Sequence, residues 1–290
     1  MDSTCTNGED NKCGTSEHII EVEGLCYGYS EDCKVLHDIS FCIDEPGFIS
    51  IIGPNGVGKS TMIKCINGII KPTSGTVRIL GRPVEDYNLK DLARIVGYVP
   101  VISGDYLKMT VLDTVLIGRY SHQRWKTTDE DILMAHKALK AMEIDDLAMR
   151  GFDELSAGQH QKVSIARGLV QKPRIMILDE PTSNLDIRHQ VFVSAFLKKL
   201  AARTGMVILM ISHDLNLAAK FSDRIIVMGA PGRIYGIGTP DEMITEDMIR
   251  DVYDVQCSVV TNHGSPHVIL ESVMPVEMEG PEAEGSDRET

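Results

Sequence analysis

The segment GPNGVGKST, at positions 53–61, constrains the fold of this 290-residue chain more than any other feature. It fits the pattern GxxxxGK[ST] and lies between the apolar run FISIIG, which ends at Gly53, and the helical pattern TMIKCINGI. The glycines allow successive backbone N–H groups to point inward, and the following helix directs its positive end at the same place. A strand, this loop and a helix therefore predict an α/β fold that binds phosphate groups.

The residue types of this loop predict their contacts with a nucleotide such as ATP. We expect Lys59 to reach the β- and γ-phosphates and Ser60 to place its hydroxyl on Mg²⁺. The predicted nucleotide-binding residues of the loop are Gly53, Pro54, Asn55, Gly56, Val57, Gly58, Lys59, Ser60 and Thr61.

Apolar runs of strand length alternate with helical patterns along the chain. Nearly unbroken runs suit strands that are covered on both faces, and the alternation predicts a parallel sheet with flanking helices. Between about 104 and 171 no comparable run appears, and DEDILMAHKALKAMEI has the spacing of an amphipathic helix, which predicts a helical insertion. The clearest strand runs are FISIIG (48–53), RIMILD (174–179), MVILMIS (206–212) and RIIVM (224–228).

Asp179 ends the second of these runs and Glu180 follows it, in RIMILDEPTSNLD (174–186). An acid at the end of a buried parallel strand lies at the sheet edge where α/β folds bind ligands. We expect Asp179 to hold Mg²⁺ through its water shell. Glu180, one residue further, is placed to accept a proton from the attacking water.

A second anion site is predicted in ELSAGQHQKVSIARGLV (154–170). Ser156 is a good helix cap, and the amides of Ala157 and Gly158 lie in the first turn of the helix that it starts. This site and the phosphate loop cannot obviously share one nucleotide. The sequence therefore favours a dimer in which the Ser156 helix of each subunit covers the γ-phosphate bound by the other.

The charge distribution excludes one class of partner. The formal net charge of −13 argues against nucleic acid, because phosphate contacts need clustered Lys and Arg. Both ends are acidic and rich in Gly, Ser and Glu, so residues 1–17 and those from about 275 are expected to be disordered.

No apolar run is long enough to cross a bilayer. The seven cysteines include no CxxC pair, which predicts reduced thiols.

Four motifs in this order, ending with SHD at 212–214, resemble the ATPase subunit of ATP-binding cassette (ABC) transporters. The resemblance covers about 18–260 and implies a P-loop NTPase core with an antiparallel edge sheet and an α-helical subdomain inserted at about 104–171. Residues 261–290 would form a C-terminal extension. The resemblance further implies that Tyr29 stacks on adenine, that His213 contacts the γ-phosphate, that Gln159 is one of the nucleotide-binding residues and that Asp186 communicates between subunits.

Four shorter sequence segments are similar to segments of the ATPase subunits that serve importers of iron-siderophore complexes, haem and cobalamin. They are MTVLDTVLIGR (109–119), SNLDIRHQ (183–190), HDLNLAAKFSDRIIVM (213–228) and GSPHVIL (264–270). This resemblance implies an ATPase homodimer at the cytoplasmic face of the cell membrane. It would be a peripheral protein bound to two transmembrane permease subunits and would act indirectly with a substrate-binding protein.

Two positions depart from the family pattern. Ala157 replaces a glycine of the family, and Val101 stands where the family has a glutamine whose oxygen reaches Mg²⁺ and the attacking water. Two alternatives to an importer subunit stay open: an ABC ATPase that works outside transport, and a weakened regulatory subunit that mainly binds ATP. Ser103 or Asp105 could also supply the oxygen that Val101 lacks.

Overall fold

A computed structural model describes residues 18–30, 33–101, 108–120, 127–183 and 185–273. The strands are β1 (Ile20–Ser30), β2 (Cys33–Ile43), β3 (Gly47–Ile52), β4 (Ser74–Ile79), β5 (Arg82–Pro83), β6 (Val96–Val99), β7 (Ile175–Leu178), β8 (Val207–Ile211), β9 (Arg224–Gly229), β10 (Arg233–Gly238), β11 (Val255–Asn262) and β12 (Ser265–Val273). The α-helices are α1 (Lys59–Ile66), α2 (Leu89–Ile95), α3 (Val111–Leu116), α4 (Asp129–Ala141), α5 (Ala157–Leu169), α6 (Ile187–Thr204), α7 (Leu215–Phe221), α8 (Pro240–Met243) and α9 (Glu246–Tyr253). Short 3₁₀ helices lie at Val84–Asp86, Ile117–Arg119, Asp145–Leu147 and Phe152–Glu154.

The central sheet has the strand order β10-β9-β3-β8-β7-β6. Its strands from β9 to β6 run parallel, and β10 is antiparallel at one edge. The predicted apolar runs form β3, β7, β8 and β9, which confirms the parallel sheet. Burial on both faces explains why these runs are unbroken: Ile175 and Ile177 of β7 pack in one apolar cluster, and Met176 and Leu178 pack in another.

A second, antiparallel sheet covers the first of these clusters, with the order β2-β1-β4-β5. Its strand β1 begins with the alternation of a half-buried strand, since Ile20 and Val22 are buried whereas Glu23 is exposed. On the outer side Arg78 of β4 donates hydrogen bonds to Glu21 and Glu23. This is the antiparallel edge sheet that the family resemblance implied.

Helices α3, α4 and α5 lie between β6 and β7 and pack over the second cluster. Thr128 starts α4 with a capping box, in which its hydroxyl accepts from the Asp131 amide and the Asp131 carboxylate accepts from the Thr128 amide. Arg119 Nε donates to Asp131 Oδ1 over 2.7 Å, which ties the start of α4 to the preceding 3₁₀ helix. The inserted α-helical subdomain of the predicted fold is therefore present.

The C-terminal part of the described chain packs around a third apolar cluster. Helices α7, α8 and α9 meet β9 and the hairpin formed by β11 and β12 there. The hairpin occupies residues 255–273 and therefore runs across residue 260, where the sequence placed the end of the core domain. Its strands are too exposed to give the strong apolar pattern of the central sheet.

The predicted disorder of residues 1–17 and of those from about 275 concerns segments outside the described residues. Among the described cysteines, Cys26, Cys33, Cys65 and Cys257 are free, but Cys42 is disulfide-bonded. The prediction of reduced thiols is therefore wrong at Cys42, because cysteine spacing alone cannot reveal pairing. Within the described residues, every helix is too short or too polar to cross a membrane.

Candidate active site

The predicted site residues follow strands that are neighbours in the central sheet. Gly53 comes directly after β3, His213 two residues after β8, Asp179 directly after β7 and Val101 two residues after β6. Because β3, β8, β7 and β6 are adjacent and parallel, their carboxyl ends meet at one edge of the sheet. Four segments that are far apart in sequence thus lie at one edge of the sheet.

The phosphate loop needs glycine at two points of close backbone packing. Gly53 has a φ of 149°, and a Cβ there would lie 2.2 Å from the carbonyl oxygen of Met228. Gly58 has a φ of 102°, and its Cβ would lie 2.7 Å from Leu36. Larger residues would push the loop away from β2 and β9, so the glycines fix a turn whose amides and following helix can hold phosphates.

Lys59 is the first residue of α1 and only 5% of its surface is exposed. Its Nζ donates to the carbonyl oxygens of Gly53 and Pro54, over 2.8 and 2.7 Å. Burial lowers the pKa of Lys59, and the nearby carboxylates of Glu180 and Asp179 oppose that shift. The amine is therefore held inside the loop.

Oxygen atoms suited to magnesium meet beside the loop. Ser60 Oγ donates to Asp179 Oδ1 over 2.9 Å, and Tyr98 Oη donates to Asp179 Oδ2 over 3.4 Å. Hydroxyl and carboxylate oxygens are the ligands that Mg²⁺ prefers, so the donor set fits this ion. Burial raises the pKa of Asp179, with the hydrogen bond from Ser60 opposing it, because the carboxylate lies in a poorly hydrated position.

Glu180 and His213 form a contact that the sequence could not reveal. His213 Nε2 lies 2.6 Å from Glu180 Oε1, although the residues follow different strands. Glu180 also has a φ of 49°, a left-handed conformation that costs a residue with a Cβ about 1–3 kcal/mol. Such strain concentrates at functional sites, where the backbone must direct one side chain to a fixed point.

The second predicted anion site lines a different cavity from this pair. Ser156 caps α5, where its hydroxyl accepts from the Gln159 amide and Gln159 Oε1 accepts from the Ser156 amide. Ala157 is the first helical residue, so its extra methyl brings no backbone strain. Ser156, Gly158 and Gln159 line one cavity with Asp186, which caps α6, whereas Glu180 and His213 line another.

Two further predicted residues are accessible at the surface. Tyr29 lies near the end of β1 with 65% of its surface exposed, and its ring packs edge-on against Tyr27 at 5.1 Å. An exposed ring is free to stack on a base. Val101 is 40% exposed, and its side chain has no polar atom. Ser103 and Asp105, the possible substitutes, lie outside the described residues.

The family model described as "ABC transporter" matches residues 36–183, which spans the phosphate loop, Ser156 and Glu180. The chain belongs to the ABC transporter family. It is 40% identical to an ABC transporter ATP-binding protein of Methanocaldococcus jannaschii, over 87% of this chain and 97% of the relative. The fold and the family that the motif order implied are both confirmed.

Two other similar ABC proteins have names or descriptions that mention what they transport. The ferric enterobactin transport ATP-binding protein FepC of Escherichia coli is 34% identical, over 86% of this chain and 93% of its own length. A solved chain from an inward-facing ABC transporter, described as of metal-chelate type, aligns with a TM-score of 0.75 and 25% identity. That alignment covers 88% of this chain and 98% of the solved one.

Sequence reasoning missed Tyr98 in this ABC protein. Tyr98 lies on β6, and its hydroxyl reaches the Asp179 carboxylate on the neighbouring strand β7. Burial, followed by the Asp179 charge, raises the pKa of Tyr98, so the phenol stays protonated and donates the bond. The segment VGYV gave a weak signal, because a polar atom on a buried strand needs a partner. Its partner, 81 residues away, could not be read from the sequence.

Asp179→Asn is expected to stabilise the ABC protein at neutral pH in the absence of Mg²⁺ and nucleotide. The folded-state pKa of Asp179 is raised, so ionisation costs stability as pH rises from the unfolded-state value through the folded-state value. The gain from asparagine should be full above that range and vanish below about pH 4. Thermal unfolding across pH measures it, with Asp241→Asn on exposed α8 as the control. A lower Tm than wild type at pH 7.5 would contradict the expectation.

Proposed function

We propose that this chain is the ATP-binding and ATP-hydrolysing subunit of a membrane importer for a metal chelate: an iron-siderophore complex, haem or cobalamin. One observation supports the hydrolytic part of this proposal. The Glu180 carboxylate lies 2.6 Å from His213, and the preceding residue, Asp179, has a carboxylate that accepts a hydrogen bond from Ser60. A candidate base, a metal-binding carboxylate and a phosphate loop thus share one sheet edge.

In this proposal the loop amides and Lys59 bind the phosphates of ATP. Ser60 and Asp179 would hold one Mg²⁺, which would neutralise charge on the β- and γ-phosphates. Glu180 accepts the proton of the attacking water, and its left-handed backbone directs the carboxylate to that position. His213 donates a hydrogen bond to Glu180 or to the γ-phosphate, and Tyr29 stacks on adenine.

We also propose that ATP is bound between two copies of the chain. The Ser156 helix start and the Glu180–His213 pair line separate cavities, so one molecule offers two half-sites. A homodimer that joins each phosphate loop to the partner's helix start completes both. Asp186 lines the Ser156 cavity and would lie between the two sites.

The relatives support a role in transport over an ABC ATPase that works outside transport. The name of FepC includes ferric enterobactin transport, and the aligned structure is described as a metal-chelate type ABC transporter. The extent of both matches favours an importer subunit over an ABC ATPase that works outside transport. The chain would then work at the cytoplasmic face of the membrane with two permease subunits and, through them, with a substrate-binding protein.

Val101→Gln is expected to raise the ATPase rate of the isolated subunit and to change ATP affinity little. Valine has no lone pair for the metal or for water, so the attacking water is held less well, and positioning effects reach about 10². Steady-state kinetics and nucleotide titration measure the two quantities. Membrane partners should also stimulate the variant to a different extent.

Ser103→Ala and Asp105→Ala test the competing idea that a nearby residue supplies the missing oxygen. If Val101→Gln has no effect and one alanine variant loses its rate, the weakened-site account is wrong. That alanine variant would then identify the substitute ligand.

Purification from native membranes tests the proposed function as a whole. A tagged chain should bring down an integral membrane protein in stoichiometric amount, and the complex should hydrolyse ATP. An active chain that is recovered only without membrane proteins would favour an ATPase outside transport.

A further inference from the structure

The C-terminal hairpin, β11 and β12, lies against the short helix that follows His213. Helix α7 starts at Leu215, and Asn216 in its first turn forms two hydrogen bonds with one residue of β12. Asn216 Nδ2 donates to the Val268 carbonyl oxygen over 3.3 Å, and the Val268 amide donates to Asn216 Oδ1 over 2.7 Å. The side-chain amide thus pairs with both backbone polar groups of Val268, whose register partner on β11 is Val259.

Hydrogen bonds on both sides of His213 and Asn216 leave little freedom for the first turn of α7. Asp214 caps the helix by accepting from the Leu217 amide over 2.9 Å, and Ser212 Oγ donates to the Asp214 carbonyl oxygen over 3.1 Å. A seven-residue helix is marginal alone and depends on its packing. Its orientation therefore depends on the third apolar cluster, which buries Ala218 and Ala219, and on the contact of Asn216 with β12.

The hairpin also borders the catalytic pair. Val268 and Leu270 of β12 line the same cavity as Glu180, His213 and Asn216. Because Asn216 is bonded to Val268, a shift of the hairpin would displace Asn216 and the first turn of α7. That turn follows His213 directly in the chain, so His213 would be displaced as well. A side chain 2.6 Å from its carboxylate partner is sensitive to displacements well below 1 Å.

We propose that Asn216 is a positioning residue, through which the C-terminal hairpin fixes His213 against Glu180. This inference rests on the proposed role of His213 in hydrolysis. The contact between Asn216 and β12 is then part of the catalytic framework, and a partner that breaks it lowers the ATPase rate.

The hairpin carries a second tether, which provides a matched control. Glu246, the first residue of α9, accepts from the Val259 amide over 2.9 Å, and Val259 is the register partner of Val268. Asn216 therefore holds β12, and Glu246 holds β11, at the two residues of one register pair. Only Asn216 lies on the element that leads to His213.

Kinetics of the full chain with Asn216→Ala and Glu246→Ala separate positioning from hairpin docking. Asn216→Ala should lower kcat about tenfold and leave KM for ATP within about twofold, because a group that acts in the transition state is displaced. Glu246→Ala should lower the Tm by a similar amount with kcat close to wild type. Asn216→Asp keeps an acceptor for the Val268 amide and should have an intermediate rate, which preserves the test if the alanine variant does not fold.

A double mutant decides whether the effect passes through His213. Asn216→Ala added to His213→Ala should lower kcat no further than His213→Ala alone, since both changes remove the same contact. Equal loss of kcat in Asn216→Ala and Glu246→Ala, or additive losses in the double mutant, would overturn the inference. If His213→Ala alone keeps the wild-type kcat, the proposed role of His213 is wrong and the inference fails with it.

Discussion

Glu180→Gln is expected to slow ATP hydrolysis by about 10² to 10⁴, the usual loss when a positioned general base is removed. Glutamine keeps the size of the side chain and can still bond to His213, which lies 2.6 Å from the carboxylate. It cannot accept a proton from the attacking water. ATP binding should survive, because the phosphate loop, Ser60 and Asp179 are untouched.

The same variant should accumulate as an ATP-bound dimer, since ATP completes both composite sites and is not consumed. Light scattering with and without ATP measures the dimer, and phosphate release measures turnover. Glu130→Gln, on the exposed start of α4, is the control for loss of a carboxylate. Wild-type turnover in Glu180→Gln would remove Glu180 from the mechanism.

Mixing two inactive variants is expected to restore ATPase activity if the sites are shared between subunits. Lys59→Ala removes an amine from the phosphate loop, and Ser156→Arg fills the helix start that lines the other cavity. Each variant alone has two defective sites. A mixed dimer places both defects in one site and leaves the other complete.

Random mixing in equal amounts should recover up to about a quarter of the wild-type rate, because half the dimers are mixed and each has one complete site. The rate should depend on protein concentration, as dimerisation requires. Variants that hydrolyse ATP as monomers at the wild-type rate would rule out the shared site. A mixture as inactive as its components would do the same, provided that pull-down of one variant through a tag on the other shows mixed dimers.

The parts of the fold that the sequence predicted are those with strong local signals. Strands β3, β7, β8 and β9 are buried on both faces, so their apolar runs are unbroken, and the phosphate loop has a nearly fixed spacing. The antiparallel sheet and the roles of Tyr29 and His213 came only from the family resemblance. The alternation at the start of β1 is short, and a lone histidine has no distinctive local pattern.

The contacts that organise the site join residues distant in sequence. Tyr98 and Asp179 are 81 residues apart, and Asn216 and Val268 are 52 apart. Glu180 has a left-handed backbone in the turn after β7, and its residue type does not predict that conformation. The hairpin crosses the predicted domain end at residue 260 because its exposed strands resemble a polar extension.

Uptake of labelled cargo by cells tests the central claim most directly. Cells that lack the chain, complemented with wild type or with Glu180→Gln, would be supplied with a radiolabelled ferric siderophore, haem or cobalamin. The proposal predicts that wild type restores uptake of one of these chelates and that Glu180→Gln, present at an equal level, does not. Equal uptake of all three chelates with and without the chain would contradict a role in metal-chelate import.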